Sequence, residues 1–130
     1  MHKKWLLFMA MLAFLSLGFA ACSIKDSSQA AANAVEVDMG GANFIQSSVT
    51  LKQGQQINLV DKASSTHIIV NGSWVNGKQV PKQEPGAPTI NMTFTGNDSA
   101  LTPPWNTPGT YHLYCTIHVG MNLTVIVKPA

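Results

Sequence analysis

The chain has no arginine, and its 8 basic residues are all lysines that form no basic run. A nucleic-acid-binding protein needs a basic patch or stripe, so the charge pattern does not favour such a partner. Cysteine is scarce as well, because the sequence contains only 2. Attachment of a c-type haem requires two cysteines ahead of a histidine and is excluded. No segment keeps the 3.6-residue apolar period of an amphipathic helix, which argues against a helical fold.

The first 21 residues have the features of a secretory signal peptide. A basic start at residues 1–4 precedes an apolar run over residues 5–19, and small residues follow. The apolar run is too short, and its flanks are wrong, for a membrane span. Two of the 8 lysines lie in this leader, which leaves 6 against the 6 acidic residues, a net charge near zero. The sequence therefore predicts that residues 1–21 direct export.

The residues Phe19-Ala20-Ala21-Cys22 resemble the lipobox of bacterial lipoproteins, although the lipobox usually has leucine where Phe19 stands. The resemblance implies that Cys22 becomes a lipid-bearing N-terminus. Residues 22–34 are then a small, polar and flexible tether. The tether would hold a domain of residues 35–130 at the outer side of the cytoplasmic membrane, on the cell surface or in the periplasm. The alternative is ordinary cleavage after Ala20 or Ala21, which leaves a free Cys22 thiol.

Beyond the tether, short apolar or alternating segments are separated by glycine, proline and asparagine turns. Alternation and β-branched residues predict strands rather than helices. About eight short strands in a domain of this size indicate an all-β sandwich or barrel. The stretch 73–88 is rich in glycine, proline, glutamine and lysine and is expected to be a long loop. The expected strands cover residues 35–39, 49–51, 57–60, 66–70, 89–94, 110–115 and 121–127.

Cys115 stands alone in the predicted domain, which requires an explanation because exported proteins usually pair their cysteines. A free cysteine is most often a buried small apolar residue. Here, however, His118 and Met121 follow it with the spacing C-x2-H-x2-M, where a strand runs into a turn. A second histidine, His67, lies far upstream at the edge of another predicted strand. This combination favours a metal site over simple packing.

Copper that cycles between Cu(I) and Cu(II) places opposed demands on its ligands. Cu(I) prefers soft sulfur ligands at low coordination number, whereas Cu(II) prefers nitrogen and a tetragonal geometry. Two imidazoles, one thiolate and a weak thioether lie between these preferences. If β-sheets hold such a set rigid, little has to move when an electron arrives. The residue types therefore indicate a redox copper site.

The segment 109–115 and the C-x2-H-x2-M spacing resemble the cupredoxins, the family of plastocyanin, amicyanin and pseudoazurin. The short spacing is most similar to amicyanin. The strand-turn-strand pattern of residues 49–60, which leads to the first histidine, resembles the same family. The similarity extends over residues 35–127 and is most specific around Cys115.

The resemblance implies a Greek-key β-sandwich or barrel that binds one type 1 copper ion and carries single electrons. It also implies that a redox-protein donor and acceptor dock near His118, and we expect a monomer. The implied metal ligands are His67, Cys115, His118 and Met121. Two departures concern the surroundings of the ligands, because Ile68 stands where many relatives have asparagine and Ile117 where many have proline.

A copper chaperone or store is the alternative function, but such proteins often have methionine-rich or histidine-rich sites and this chain has no methionine-rich tract. An enzyme is not expected. A Cys-His hydrolase needs a base and an orienting group beside the thiol, and a histidine three residues away is too local. A multicopper oxidase needs further histidine pairs and domains.

The remaining candidate residues have simpler interpretations. His112 lies on the opposite strand face from Cys115 by alternation and is expected at the surface. Met39 and Met92 fall within strands and are expected in the core. Trp74 and Trp105 are expected to pack in the domain or to line the entry to the site.

Overall fold

The computed structural model describes residues 32–130, and these residues form two β-sheets. Alternating buried and exposed side chains explain why these segments are strands, as in β9, where every second residue is buried. The nine strands in chain order are β1 (Val35–Met39), β2 (Ser48–Lys52), β3 (Ile57–Asp61), β4 (His67–Val75), β5 (Lys78–Pro81), β6 (Asn91–Phe94), β7 (Ser99–Leu101), β8 (Gly109–Cys115) and β9 (Asn122–Lys128).

The smaller sheet has the order β1-β3-β7, and the larger has the order β2-β9-β8-β4-β5 with β6 paired to β4. β1 pairs with β3 and β2 with β9 in parallel, whereas the other pairs are antiparallel. Each sheet turns its apolar face inward. The core is built from alternating side chains of both sheets, including Val37, Leu59, Ile69, Leu113 and Val125. The predicted all-β sandwich is thus confirmed.

The prediction of an unbroken loop over residues 73–88 is wrong in its first half. β4 continues to Val75 and returns as β5 through a two-residue turn at Asn76 and Gly77, whose φ angles are 51° and 72°. Asparagine followed by glycine favours such a turn because both residues tolerate positive φ. The resulting hairpin of β4 and β5 forms one edge of the larger sheet, and all four residues of β5 are exposed.

β7 was not predicted either. It is only three residues long, its side chains are mostly exposed, and it contains serine and alanine rather than β-branched residues. Pairing with β3 therefore determines its conformation, and this long-range contact has no local sequence signature.

The predicted signal peptide, the predicted lipidation of Cys22 and most of the predicted tether concern residues outside the described part of the chain. Within residues 32–130, no helix has the length and apolarity needed to cross a membrane. Of the described cysteines, Cys115 is free and buried.

Candidate metal centre

Three of the four predicted ligands meet at one end of the larger sheet. His67 is the first residue of β4 and Cys115 the last residue of β8. Because these strands are antiparallel neighbours, with Ile69 opposite Cys115, the start of one lies beside the end of the other. His118 follows in the loop after β8. Each residue contributes one ligand atom, and these atoms lie within 4.8 Å of one another.

The two ring nitrogens of His67 have different surroundings, which leave only Nδ1 available to a metal ion. The ring is fully buried, and its Nε2 lies 2.9 Å from the carbonyl oxygen of Gly40, to which an Nε2–H group donates. Nδ1 is also buried and has no hydrogen-bond partner. A buried polar atom without a partner is costly in a native protein. A metal ion bound to the Nδ1 lone pair would remove that cost.

Burial lowers the pKa of His67 below its ordinary value of 6.5, since an imidazolium ion is poorly solvated in the interior; the carboxylate of Asp61 opposes this effect. The neutral imidazole is the form that binds metals. The Sγ atom of Cys115 and Nδ1 of His118 are 3.5 Å apart, so a cysteine sulfur and a second imidazole lie beside the first imidazole. Two imidazoles and one thiolate fit copper.

Met121 closes the loop that carries the ligands. The amide of Cys115 donates to the carbonyl of Met121 at 3.0 Å, and the amide of Met121 donates to the carbonyl of His118 at 3.2 Å. Gly120 has a φ of 79°, which allows the chain to turn back. The Met121 side chain is buried. The loop thus returns Met121 to the end of β8.

The hairpin of β4 and β5 holds the candidate ligand loop in place through hydrogen bonds that no local sequence pattern predicts. Trp74 Nε1 donates to the carbonyl of Cys115 at 2.7 Å, and Gln79 Nε2 donates to the carbonyl of Thr116 at 3.2 Å. The side chain of Asn122 accepts from the amide of Trp74 and donates to its carbonyl. These hydrogen bonds fix the loop from one side. A main-chain hydrogen bond from the amide of Thr116 to the carbonyl of Ile68 adds to them.

The loop also forms an apolar surface around His118. His118 is half-buried, whereas Ile117 and Val119 are 47% and 70% exposed. Exposed apolar side chains grouped around a functional residue are typical of interaction sites.

Most of the other candidates lie where the sequence placed them. His112 is partly exposed and its Nδ1 is 2.8 Å from a carboxylate oxygen of Glu84. Met39 is buried in the core, whereas Met92, which was expected there too, is partly buried and packs against the core cluster. Trp105 is fully buried among core residues, so of the two tryptophans Trp74 is the one that contacts the site.

This fold, with a cluster of His67, Cys115 and His118 at one end of the larger sheet, is that of a copper-binding domain of the cupredoxin class. Residues 31–128 match the model of the copper binding proteins of the plastocyanin/azurin family. The chain belongs to that family, and its cofactor is one copper ion, as predicted. A search of curated proteins found no match to the sequence.

Solved structures give the same fold. Amicyanin from Paracoccus versutus (Thiobacillus versutus) is 24% identical, with 76% of this chain and 88% of that chain covered and a TM-score of 0.55. A reduced Cu(I) form of an amicyanin mutant at pH 4 is 18% identical, with 73% and 82% covered and a TM-score of 0.55. A copper-containing nitrite reductase from Thermus scotoductus SA-01 is 18% identical, with a TM-score of 0.55. The match covers 73% of this chain but 22% of the reductase.

Proposed function

We propose that the protein is an exported one-electron carrier and not an enzyme. One type 1 copper ion is held by His67, Cys115, His118 and Met121. The observation that carries the proposal is the buried Nδ1 of His67, which has no partner and belongs to the same cluster as the Cys115 thiol and the His118 ring. Copper supplies one-electron oxidation and reduction when bound. The sheets supply a frame in which the ligands keep their positions in both oxidation states.

Each ligand has a distinct role. The Cys115 thiolate and the two imidazoles would bind the copper strongly, and the buried Met121 thioether would bind it more weakly. His67 is inaccessible, and its Gly40 hydrogen bond fixes the ring. His118 reaches toward solvent and is the port through which electrons enter and leave.

An absorption spectrum tests the copper site. Adding Cu(II) to the protein is expected to give an intense blue charge-transfer band that a reductant bleaches and an oxidant restores. Cys115→Ser is expected to abolish the band, and His112→Ala, a histidine outside the site, to leave it unchanged. Tight Cu(I) binding without any blue band would contradict the proposal and favour a copper chaperone or store.

The electron port is tested separately by the rate of self-exchange between reduced and oxidised protein. Val119→Lys places a charge on the exposed apolar surface beside His118 and is expected to slow self-exchange at least about tenfold, because like charges meet where two molecules dock. Gln53→Lys, in the turn after β2, is the control. Equal rates in the two variants would contradict docking at His118.

Attachment to the membrane through Cys22 is part of the proposal and is supported by the lipobox-like sequence. Redox-protein partners would then meet the domain at the outer side of the cytoplasmic membrane, and a tether over residues 22–34 would leave the His118 surface free. Mass spectrometry of the membrane fraction is expected to find a lipidated N-terminal Cys22. A protein released without lipid, with an unmodified Cys22, would contradict it.

A further inference from the structure

A buried carboxylate lies behind the first histidine of the site. Asp61 is the last residue of β3, and its side chain is fully buried. Oδ1 lies 3.7 Å from Nε2 of His67 and accepts a hydrogen bond from the amide of Ala63 at 3.0 Å. The second oxygen, Oδ2, is buried without a hydrogen-bond partner.

This carboxylate acts on His67 by its charge. Nε2 of His67 already lies 2.9 Å from the Gly40 carbonyl, which is the better hydrogen-bond acceptor by distance. A charge 3.7 Å from the ring in the protein interior is screened much less than a charge at the surface. The Asp61 charge therefore reaches the imidazole and any metal on its other nitrogen.

The neighbouring cation does not neutralise Asp61. Lys62, the next residue, directs its Nζ to Glu36 at 3.2 Å and to Asp38 at 3.3 Å. Two carboxylates near the surface thus share this lysine. The electrostatic field beside His67 is accordingly negative, and the half-buried Asp98 contributes to it.

We propose that Asp61 is a positioning residue that acts through His67 and lowers the reduction potential of the copper. A nearby negative charge stabilises Cu(II) more than Cu(I), because the oxidised ion carries the larger positive charge. This inference rests on the proposed ligand set. Because the reduction potential limits which proteins can give electrons to the copper or take them from it, Asp61 would influence the choice of redox partners.

The reduction potential of Asp61→Asn tests the inference, since asparagine keeps the shape and removes the charge. We expect the blue band to persist and the Cu(I)/Cu(II) ratio at a fixed ambient potential to rise about tenfold, which is about 59 mV for one electron. Glu36→Gln is the matched control, because it also removes one negative charge but from an exposed site. Solvent and salt screen that charge, so the ratio is expected to change less than about twofold. Asp61→Glu restores the charge and is expected to shift the potential back toward the wild-type value.

Asp61→Ser is the second uncharged variant. It is chosen because a serine hydroxyl can still accept a hydrogen bond from the Ala63 amide. It is expected to shift the potential in the same direction if the asparagine variant does not fold. Potentials equal to that of Glu36→Gln would overturn the assignment. Failure of both uncharged variants to fold, with a folded Asp61→Glu, would also overturn it, since the carboxylate would then serve the fold. Absence of a blue band in the wild-type protein would instead refute the proposed copper site.

Discussion

The indole Nε1 of Trp74 donates a 2.7 Å hydrogen bond to the main-chain carbonyl of Cys115, the residue proposed to supply the sulfur ligand of the metal centre. The indole also meets the ring of Tyr114 edge to face, with centroids 6.1 Å apart. Trp74 belongs to the part of β4 that extends into the hairpin with β5. The hairpin therefore holds the end of β8, and with it the position of the Cys115 sulfur.

Trp74→Phe should loosen the ligand loop while keeping an aromatic ring in place. Loss of the indole donor leaves the Cys115 carbonyl without this partner, and we expect the free energy of unfolding to fall by about 2 kcal/mol. We also expect broader copper EPR features and faster loss of copper to a chelator. Urea unfolding of the metal-free protein and chelator kinetics of the loaded protein measure the two effects.

Trp105→Phe is the matched control for this variant. Trp105 is buried, and its Nε1 donates to the hydroxyl of Thr102, away from the ligand loop. The substitution is expected to lower stability to a similar degree without changing the spectrum or the rate of copper loss. Identical spectral changes in both variants would mean that Trp74 contributes only general stability.

The local part of the site could be predicted because three candidate ligands lie within seven residues of the sequence. Cys115, His118 and Met121 share one loop, so their spacing alone indicates a site. His67 could be added because the strand-turn-strand pattern of residues 49–60 resembles the segment that leads to the first histidine of the family, and not because of any local spacing to Cys115. The fold class followed from alternation and turn residues, which are properties of short segments.

The contacts around the ligands could not be predicted in the same way. Gly40, Asp61 and Trp74 reach the site through strand pairing and loop packing between residues distant in the sequence. No residue type or spacing marks them in advance. Asn76-Gly77 is different, because this pair favours a hairpin turn and could have identified β5. β5 was not predicted because the glycine, proline and polar residues of the stretch 73–88 indicated a loop.

Gly72 is expected to be essential for the hairpin. Its φ is 122°, and a Cβ atom there would collide with the carbonyl oxygen of Val80 and lie 2.8 Å from the amide nitrogen of Lys82. Both contacts are with backbone of the opposing segment and cannot be relieved by a rotamer change. Gly72→Ala should therefore lower the free energy of unfolding by about 4 kcal/mol.

Gly54→Ala provides the comparison for Gly72. Gly54 also has a positive φ, 88°, but a Cβ there would meet nothing within 4 Å. Only backbone strain remains, and we expect a loss of about 1 kcal/mol. Denaturant unfolding of both metal-free variants measures the difference, and equal losses would show that close approach of the hairpin strand to Gly72 is unimportant.

The stability of the metal-free protein should depend on His67. Burial lowers the pKa of His67 in the folded protein below 6.5, whereas the unfolded chain keeps the ordinary value. As the pH falls below about 6.5, the unfolded state binds a proton that the folded state does not, so stability falls with a slope of at most about 1.4 kcal/mol per pH unit for this group. Above that pH its contribution is constant.

Unfolding of the metal-free protein between pH 5 and pH 8 measures this slope. His67→Gln has no titrating ring and should show a smaller slope over the same range. If the variant and the wild-type protein lose stability in parallel on acidification, the buried imidazole is not responsible for it.

Met121→Leu distinguishes a proposed copper ligand from a core side chain, since leucine has a similar volume but no sulfur. Loss of a thioether donor removes electron density that favours Cu(II), so the reduction potential should rise, by about 59 mV for a tenfold change in the Cu(I)/Cu(II) ratio. The blue band should persist, because Cys115 and both histidines remain. Met92→Leu, a methionine packed against the core on β6, is the control and should leave the potential unchanged. A potential that responds equally to both substitutions would mean that Met121 only fills space beneath the loop, and the copper would then have three protein ligands.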